Sequence, residues 1–125
     1  MYTVEVDEAK LEEIVRRIVE VADPDKIILF GSRARGDVHA QSDVDLLVVK
    51  DTDDSTVSRL KRIGDLYVSL YGMSAPTDIL WYTPAEVEHW RGAKNHIVAR
   101  ALREGRVLYD QGESRGDQER RGISS

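Results

Sequence analysis

The fold is decided by the stretch GSRARGDVHAQSDVDLLVV, residues 31–49. It begins with a glycine-bounded turn, Gly31 to Gly36, and ends in an apolar run that is typical of a buried strand. Two aspartates, Asp43 and Asp45, stand at the start of that run. Such a turn can hold phosphate groups on its backbone N–H groups, and carboxylates can hold divalent metal ions. The pattern therefore indicates metal-dependent transfer from a nucleoside triphosphate.

The two aspartates share one face of the predicted strand. Side chains alternate along a strand, so Asp43 and Asp45 point the same way with roughly 6.5 Å between their Cα atoms. Oxygen ligands at that spacing can converge on one Mg²⁺ ion or bridge two ions in a two-metal site. The alternative is that Asp43 caps a turn after Ser42 and that Asp45 is a solvated edge residue. A lone Asp-x-Asp does not decide between these interpretations.

The turn before the aspartates follows a short predicted strand, Lys26 to Phe30. Gly31 ends that strand and lets a ligand approach the backbone with no Cβ in the way. Ser32 offers a hydroxyl and an N–H to a phosphate oxygen, and it can also cap a helical turn that favours an anion. We therefore expect Gly31 and Ser32 to bind the nucleotide, with lesser contributions from Arg33, Arg35 and Ser42. The alternative is an ordinary tight turn, since the Gly-Lys-Ser/Thr ending of a Walker A loop is absent.

A third carboxylate, Asp78, stands at the start of a later predicted strand that ends at Tyr82. If this strand lies beside the one that carries Asp43 and Asp45, the three carboxylates meet. Asp78 could then complete the metal site and accept the proton of an attacking hydroxyl. Taken alone, an aspartate after a Pro-Thr turn is more often a turn residue.

Together these residues resemble the nucleotidyltransferase superfamily of DNA polymerase beta, and in particular its minimal, MNT-type branch. The family pattern is a strand that ends in Gly-Ser, an Asp-x-Asp on the next strand and a further carboxylate on a later one. The matching positions here are Gly31, Ser32, Asp43, Asp45 and Asp78. The resemblance runs from Leu11 to Tyr109. It implies a polymerase-beta-like nucleotidyltransferase core, catalysis and metal binding by the three aspartates, Mg²⁺ or Mn²⁺ as cofactor, and ATP as substrate.

Chains of this minimal type resemble the antitoxin half of a toxin–antitoxin pair whose partner is an all-helical HEPN ribonuclease. The resemblance implies transfer of AMP from ATP to a hydroxyl of that toxin. One alternative is nucleotidylation of a small molecule, which is disfavoured because no acceptor domain is evident in the sequence. Another is a binding-only antitoxin that masks its partner without chemistry, although masking places no demand on three aspartates. The sequence leaves open whether the protein forms a homo-oligomer or a hetero-oligomer.

Composition predicts a single intracellular domain. The 125 residues are 41% hydrophobic and include no cysteine, which excludes disulfides and thiolate-bound zinc. The net charge of −5 argues against an extended surface for polymeric nucleic acid and is compatible with docking on a basic protein. No apolar run approaches the ~18 residues that a membrane span requires. We therefore expect a cytoplasmic protein, with no membrane association, whose metal ligands are oxygen atoms.

The expected architecture is an α/β domain over residues 1–110, with a small mixed sheet, helices on one face and the three aspartates at an open edge. Residues 111–125 contain a single apolar side chain, Ile123, so we expect a disordered tail. A first helix is expected from Asp7 to Ala22, with one stripe buried against the sheet.

Further helices are expected to complete the scaffold. The second carries a set of residues along one side, namely Val57, Leu60, Gly64, Tyr67, Val68 and Tyr71. The third begins at the capping box Thr83-Pro84-Ala85-Glu86. The fourth runs from about Asn95 to Glu104 and stops at Gly105, after which Val107 to Tyr109 can add a last strand.

Overall fold

The protein is described by a computed structural model that covers residues 8–31, 34, 44–51, 56–73 and 75–112. In chain order its elements are α1 (Glu8–Ala22), β1 (Lys26–Phe30), β2 (Val44–Val49), α2 (Thr56–Ser69), β3 (Thr77–Tyr82), α3 (Pro84–Trp90), α4 (Ile97–Glu104) and β4 (Arg106–Asp110). None of the helices in these ranges is long and apolar enough to cross a membrane. The predicted tail lies almost wholly outside the described residues, which end at Gly112.

The strands form one four-stranded mixed sheet in the order β3-β2-β1-β4. β1 is antiparallel to both β2 and β4, whereas β2 and β3 are parallel. A parallel pair needs a crossover connection, and α2 supplies it between β2 and β3. This topology confirms the α/β class and the predicted mixed sheet. It also confirms that the strand with Asp78 lies beside the strand with Asp45.

Helices cover both faces of the sheet, which differs from the predicted placement on one face. On one face, α1 and α2 pack against a core that includes Leu29, Leu46 and Val48. On the other face, Ala101 of α4 packs against a second core that includes Phe30 and Leu47. The physical reason is that β1 and β2 are continuous apolar runs rather than alternating ones, so each face of the sheet presents apolar side chains that must be buried.

The apolar side of α2 also differs from the prediction. The residues that anchor α2 to the core are Leu66, at 0% exposure, and Leu70 just after the helix. The side expected to serve as scaffold faces solvent, with Val57 and Val68 both more than 70% exposed. α2 therefore has two apolar stripes, and among the described residues only the one that contains Leu66 is buried in the core.

The third helix begins, and the fourth begins and ends, close to the predicted residues. Thr83 Oγ1 accepts a hydrogen bond from the Glu86 N–H at 3.1 Å, and Glu86 Oε1 accepts one from the Thr83 N–H at 2.9 Å, which confirms the capping box. The N-cap of α4 is His96, whose Nδ1 accepts a hydrogen bond from the Val98 N–H at 3.1 Å. α4 ends at Gly105 as predicted.

Gly105 permits a close approach between the end of α4 and β1. A Cβ at this position would lie 2.5 Å from Ile28 Cγ2 and 2.9 Å from the Leu29 carbonyl oxygen, and it would overlap the Ala101 carbonyl oxygen. Two of these three neighbours are backbone atoms, which cannot move aside cheaply. The glycine therefore holds α4 against the sheet face on which Asp45 lies.

Candidate functional site

Asp45 and Asp78 are register partners on the parallel strands β2 and β3. Neighbouring strands are about 4.8 Å apart, and register partners present their side chains on the same face. The next pair on that face is Leu47 with Leu80, both of which pack in the core beneath α4. The two carboxylates therefore stand side by side where this face of the sheet emerges from its apolar core.

The two aspartates differ in exposure. Asp45 is half-buried on an inner strand, whereas Asp78 is exposed on β3, which is an edge strand of the sheet. A half-buried carboxylate is suited to a fixed ligand position, and an exposed one can reach a group that arrives from solvent. The separate roles that the sequence predicts for the two residues remain predictions.

Gly31, the first residue of the turn that the sequence predicts to hold phosphate, lies directly beside Asp45. Phe30 is the register partner of Asp45, and Gly31 follows with a positive φ of 77°, which favours glycine. A Cβ at Gly31 would lie 3.3 Å from Asp45 Cγ and would overlap Oδ2. The sequence interpretation assigned the missing side chain to the approach of a phosphate. The structure adds a nearer reason, which is that the Asp45 carboxylate needs the same space.

The structure thus brings together three of the predicted site residues, Gly31, Asp45 and Asp78, at one end of the sheet. Five others lie outside the described residues: Ser32, Arg33, Arg35, Ser42 and Asp43. Ala34, which lies between them in the chain, packs against the core on the α1 side of the sheet. The assignment of those five residues to the site remains a prediction.

One supporting contact was not foreseen from the sequence. Tyr67 of α2 accepts a hydrogen bond on its hydroxyl from the Ile79 N–H at 3.0 Å. This N–H belongs to the edge strand β3, next to Asp78, and would otherwise point away from the sheet. Tyr67 thereby ties α2 to the strand that carries Asp78. A tyrosine in an apolar helix stripe carries no sequence signal for such a bond.

The described residues hold no cluster of three or more His, Cys, Asp or Glu side chains that could bind a metal ion. Asp45 and Asp78 supply two carboxylates on one face, and Asp43 lies outside the described ranges. Carboxylate oxygens are the ligands that Mg²⁺ and Mn²⁺ prefer, so the donor chemistry fits the metal that the family resemblance implies.

The comparison with protein families decides the identity of the domain. Residues 8–108 match the nucleotidyltransferase domain family, a span that includes every strand pair at the candidate site. The chain belongs to this family. The predicted nucleotidyltransferase resemblance is confirmed, and the protein is a nucleotidyltransferase.

Similar proteins agree with this assignment. MJ0604 of Methanocaldococcus jannaschii, whose name provisionally describes it as a protein adenylyltransferase, is 35% identical over 85 residues, which are 67% of this chain and 77% of that protein. A crystal structure from Sulfolobus solfataricus, provisionally described as a nucleotidyltransferase, superposes with a TM-score of 0.55 at 18% identity and covers 82% of this chain and 78% of that one.

A third similar structure is a toxin–antitoxin complex crystallised with AMP-PNP. It superposes with a TM-score of 0.53 at 19% identity and covers 90% of this chain and 84% of that one. The two solved structures show that this nucleotidyltransferase has the same fold as they do.

Proposed function

We propose that this nucleotidyltransferase is a cytoplasmic, metal-dependent antitoxin that transfers AMP from ATP to a hydroxyl of a HEPN-type ribonuclease toxin. The observation that carries the proposal is the adjacency of Asp45, Asp78 and Gly31 at one end of the sheet. Residues 1–110 form the catalytic domain in this proposal.

The nucleotide is held at the turn after β1. The N–H groups of Gly31 and Ser32 would donate to the phosphates, and the guanidinium groups of Arg33 and Arg35 would add positive charge in a chain of net charge −5. Ser42 contributes a hydroxyl from the other end of the loop. The direct approach of Gly31 to the Asp45 carboxylate supports this arrangement, because it puts the turn beside a carboxylate that would hold the metal ion.

Asp43, Asp45 and Asp78 would hold Mg²⁺ or Mn²⁺. When bound, the ion supplies positive charge that neutralises the phosphate oxygens as charge develops on them. The half-buried position of Asp45 supports a role as a fixed ligand. Asp43, two residues earlier on the same predicted strand, would add a second carboxylate on that face.

Asp78 accepts the proton of the attacking hydroxyl. The acceptor oxygen forms a bond to the α-phosphorus of ATP, the bond from that phosphorus to the bridging oxygen breaks, and pyrophosphate leaves. The hydroxyl proton passes to the Asp78 carboxylate, because an un-ionised alcohol is a poor nucleophile near neutral pH. The exposure of Asp78 on an edge strand supports this role, since the acceptor must arrive from outside the domain.

A toxin supplies the acceptor in this proposal. This proposal is supported by the similarity to MJ0604 and to a toxin–antitoxin complex. The net charge of −5 also suits a basic partner. The pair would form a hetero-oligomer.

The experiment is to mix the full chain with the toxin encoded beside it, ATP and Mg²⁺, and to weigh the toxin by mass spectrometry. The proposal expects the toxin to gain the mass of AMP, and the gain to disappear when Mg²⁺ is chelated. Loss of ribonuclease activity with no change of mass would instead support a binding-only antitoxin. Transfer to an aminoglycoside but not to the toxin would support the small-molecule alternative.

A further inference from the structure

The outer side of α2 is an apolar stripe that lies largely exposed among the described residues, apart from the Tyr67 hydroxyl, which accepts the hydrogen bond from the Ile79 N–H. The stripe consists of Val57, Leu60, Gly64, Tyr67, Val68 and Tyr71, and four of its members are 62–88% exposed. The exposed side chains offer roughly 600 Å² of surface, which matches the largest patch expected on a monomer and approaches the ~800 Å² that each partner buries in a standard interface. A surface of this size on one helix indicates an interface.

The spacing of the stripe fits a facing helix. Positions 57, 60, 64, 67 and 71 repeat at intervals of three and four residues, which is the seam of a heptad pattern. The helical turn continues beyond Ser69, because the Tyr71 N–H donates to the Val68 carbonyl at 3.1 Å. The hydrogen bond from Ile79 N–H to Tyr67 fixes one side of the seam.

Five of the six stripe positions are symmetric about Gly64, and the exception is Tyr67, whose mirror position is Lys61. Val57 and Tyr71 lie seven residues to either side of it, and Leu60 and Val68 lie four residues to either side. A Cβ at Gly64 would meet no atom within 4 Å. Because glycine has no side chain, the centre of the stripe is a shallow depression into which a second helix can pack. An antiparallel copy of the same helix would therefore place its own Gly64 against this one, Tyr71 against Val57, and Val68 against Leu60.

The charges beside the stripe agree with that pairing. Lys61 and Asp65 are exposed on the same flank of α2, and no ion pair within the described ranges includes either one. In a two-fold antiparallel arrangement about Gly64, Lys61 of each copy lies on the same flank as Asp65 of the other and is offset from it by two residues, roughly 3 Å along the helix axis. The long lysine side chain can span that offset. Two complementary pairs would then form, which favours a second copy over an unrelated apolar helix.

We propose that α2 is the interface of a two-fold symmetric dimer of this nucleotidyltransferase, with the axis at Gly64. The dimer leaves the Asp45 carboxylate on the opposite face of the sheet from α2, so the candidate site stays open to an acceptor. The dimer consists of two copies of this chain and does not require the toxin.

A single cysteine at the axis tests the proposal. The chain has no cysteine, so Gly64→Cys can form a disulfide only between two copies, and only where the Cα atoms approach to about 4.4–6.8 Å. We expect mild oxidation to convert Gly64→Cys into a covalent dimer. The matched control is Arg100→Cys, which also puts a thiol on an exposed helix position, and it should remain monomeric under the same oxidant.

Sedimentation of the cysteine-free protein gives a second measurement. Wild type should sediment at twice 14.1 kDa in the micromolar range. Leu60→Asp should weaken the dimer at least about tenfold because it buries a charge at the seam, and Val107→Asp, at an apolar site 49% exposed on β4, should not weaken it. Lys61→Asp and Asp65→Lys should each weaken it, and combining the two should restore it.

A wild-type chain that sediments at 14.1 kDa throughout this range would overturn the proposal. Cross-linking of Gly64→Cys no faster than that of Arg100→Cys would overturn it as well. Monomeric protein whose toxin binding is lost in Leu60→Asp would also overturn self-pairing and would assign the stripe to the toxin. Circular dichroism of each variant confirms that it is folded.

Discussion

The Asp45 carboxylate occupies the space that a side chain at position 31 would need. Gly31 has a φ of 77°, and a Cβ there would overlap Asp45 Oδ2. The turn proposed to hold the phosphates and the aspartate proposed to hold the metal are therefore coupled sterically. A change at one position must displace the other.

Replacing Gly31 by alanine should lower AMP transfer by at least about tenfold, because displacing a reacting group by about 1 Å can cost on the order of 100-fold. Gly72→Ala is the matched control. Gly72 also has a positive φ, of 90°, but a Cβ there meets nothing within 4 Å. Both variants should lose about 1–2 kcal/mol of stability from backbone strain. Equal transfer by the two variants would show that the contact with Asp45 does not matter.

Replacing Asp45 by asparagine should reduce transfer by more than about 100-fold and weaken Mg²⁺-dependent binding of ATP, because one ionised ligand is lost. We expect the same of Asp43→Asn. Calorimetric titration of ATP with and without Mg²⁺ measures the binding. Unchanged affinity in both variants would remove the two residues from the metal site.

Replacing Gly105 by alanine should destabilise the fold by about 1–3 kcal/mol, because the new Cβ would collide with backbone atoms of Ala101 and Leu29. Gly92→Ala provides the comparison, since a Cβ at Gly92 meets nothing within 4 Å. Urea denaturation of the two variants gives the difference. If both cost the same, the close approach of α4 to β1 contributes nothing.

Glu86 should make the stability of the domain sensitive to acid. Burial raises the pKa of Glu86, but hydrogen bonds from the Thr83 N–H and from Arg59 outweigh it and hold the pKa below its ordinary value of 4.5. Because the pKa is lower in the folded state, this contribution is present above pH 4.5 and is lost as the pH falls through the folded-state pKa.

Glu86→Gln tests this dependence, since the amide oxygen can still accept the Thr83 N–H. The difference in unfolding free energy between wild type and Glu86→Gln should shrink as the pH is lowered below 4.5. A difference that stays constant across that range would contradict the assignment.

Local signals made much of the fold predictable. The Thr83 capping box and the C-terminal Gly105 act over a few residues, so sequence alone places the start of α3 and the end of α4. The pairing of Asp45 with Asp78 depends on β2 and β3 being neighbours, and it was reached through the family resemblance rather than through spacing.

Other features depend on contacts between distant parts of the chain. Periodicity showed that α2 has apolar residues on one side, but it could not show that Leu66 and Leu70 would be buried instead of Val57 and Val68. The continuous apolar runs of β1 and β2 are a sequence signal for helices on both faces of the sheet. The prediction placed the helices on one face only. The fit of Gly31 against Asp45 depends on the register of β1 with β2, which no local pattern encodes.

Asp78→Asn provides the most direct test of the central claim, that Asp78 acts beside Asp45 in transfer to a protein hydroxyl. Asp51→Asn, at the other end of β2 from Asp45, makes the same change of charge away from the site. The measurement is the rate at which the toxin gains AMP, followed by mass spectrometry with ATP and Mg²⁺. The account predicts that Asp78→Asn still binds ATP but transfers about 10²–10⁴-fold more slowly, while Asp51→Asn matches wild type. Transfer by Asp78→Asn at the wild-type rate would contradict it.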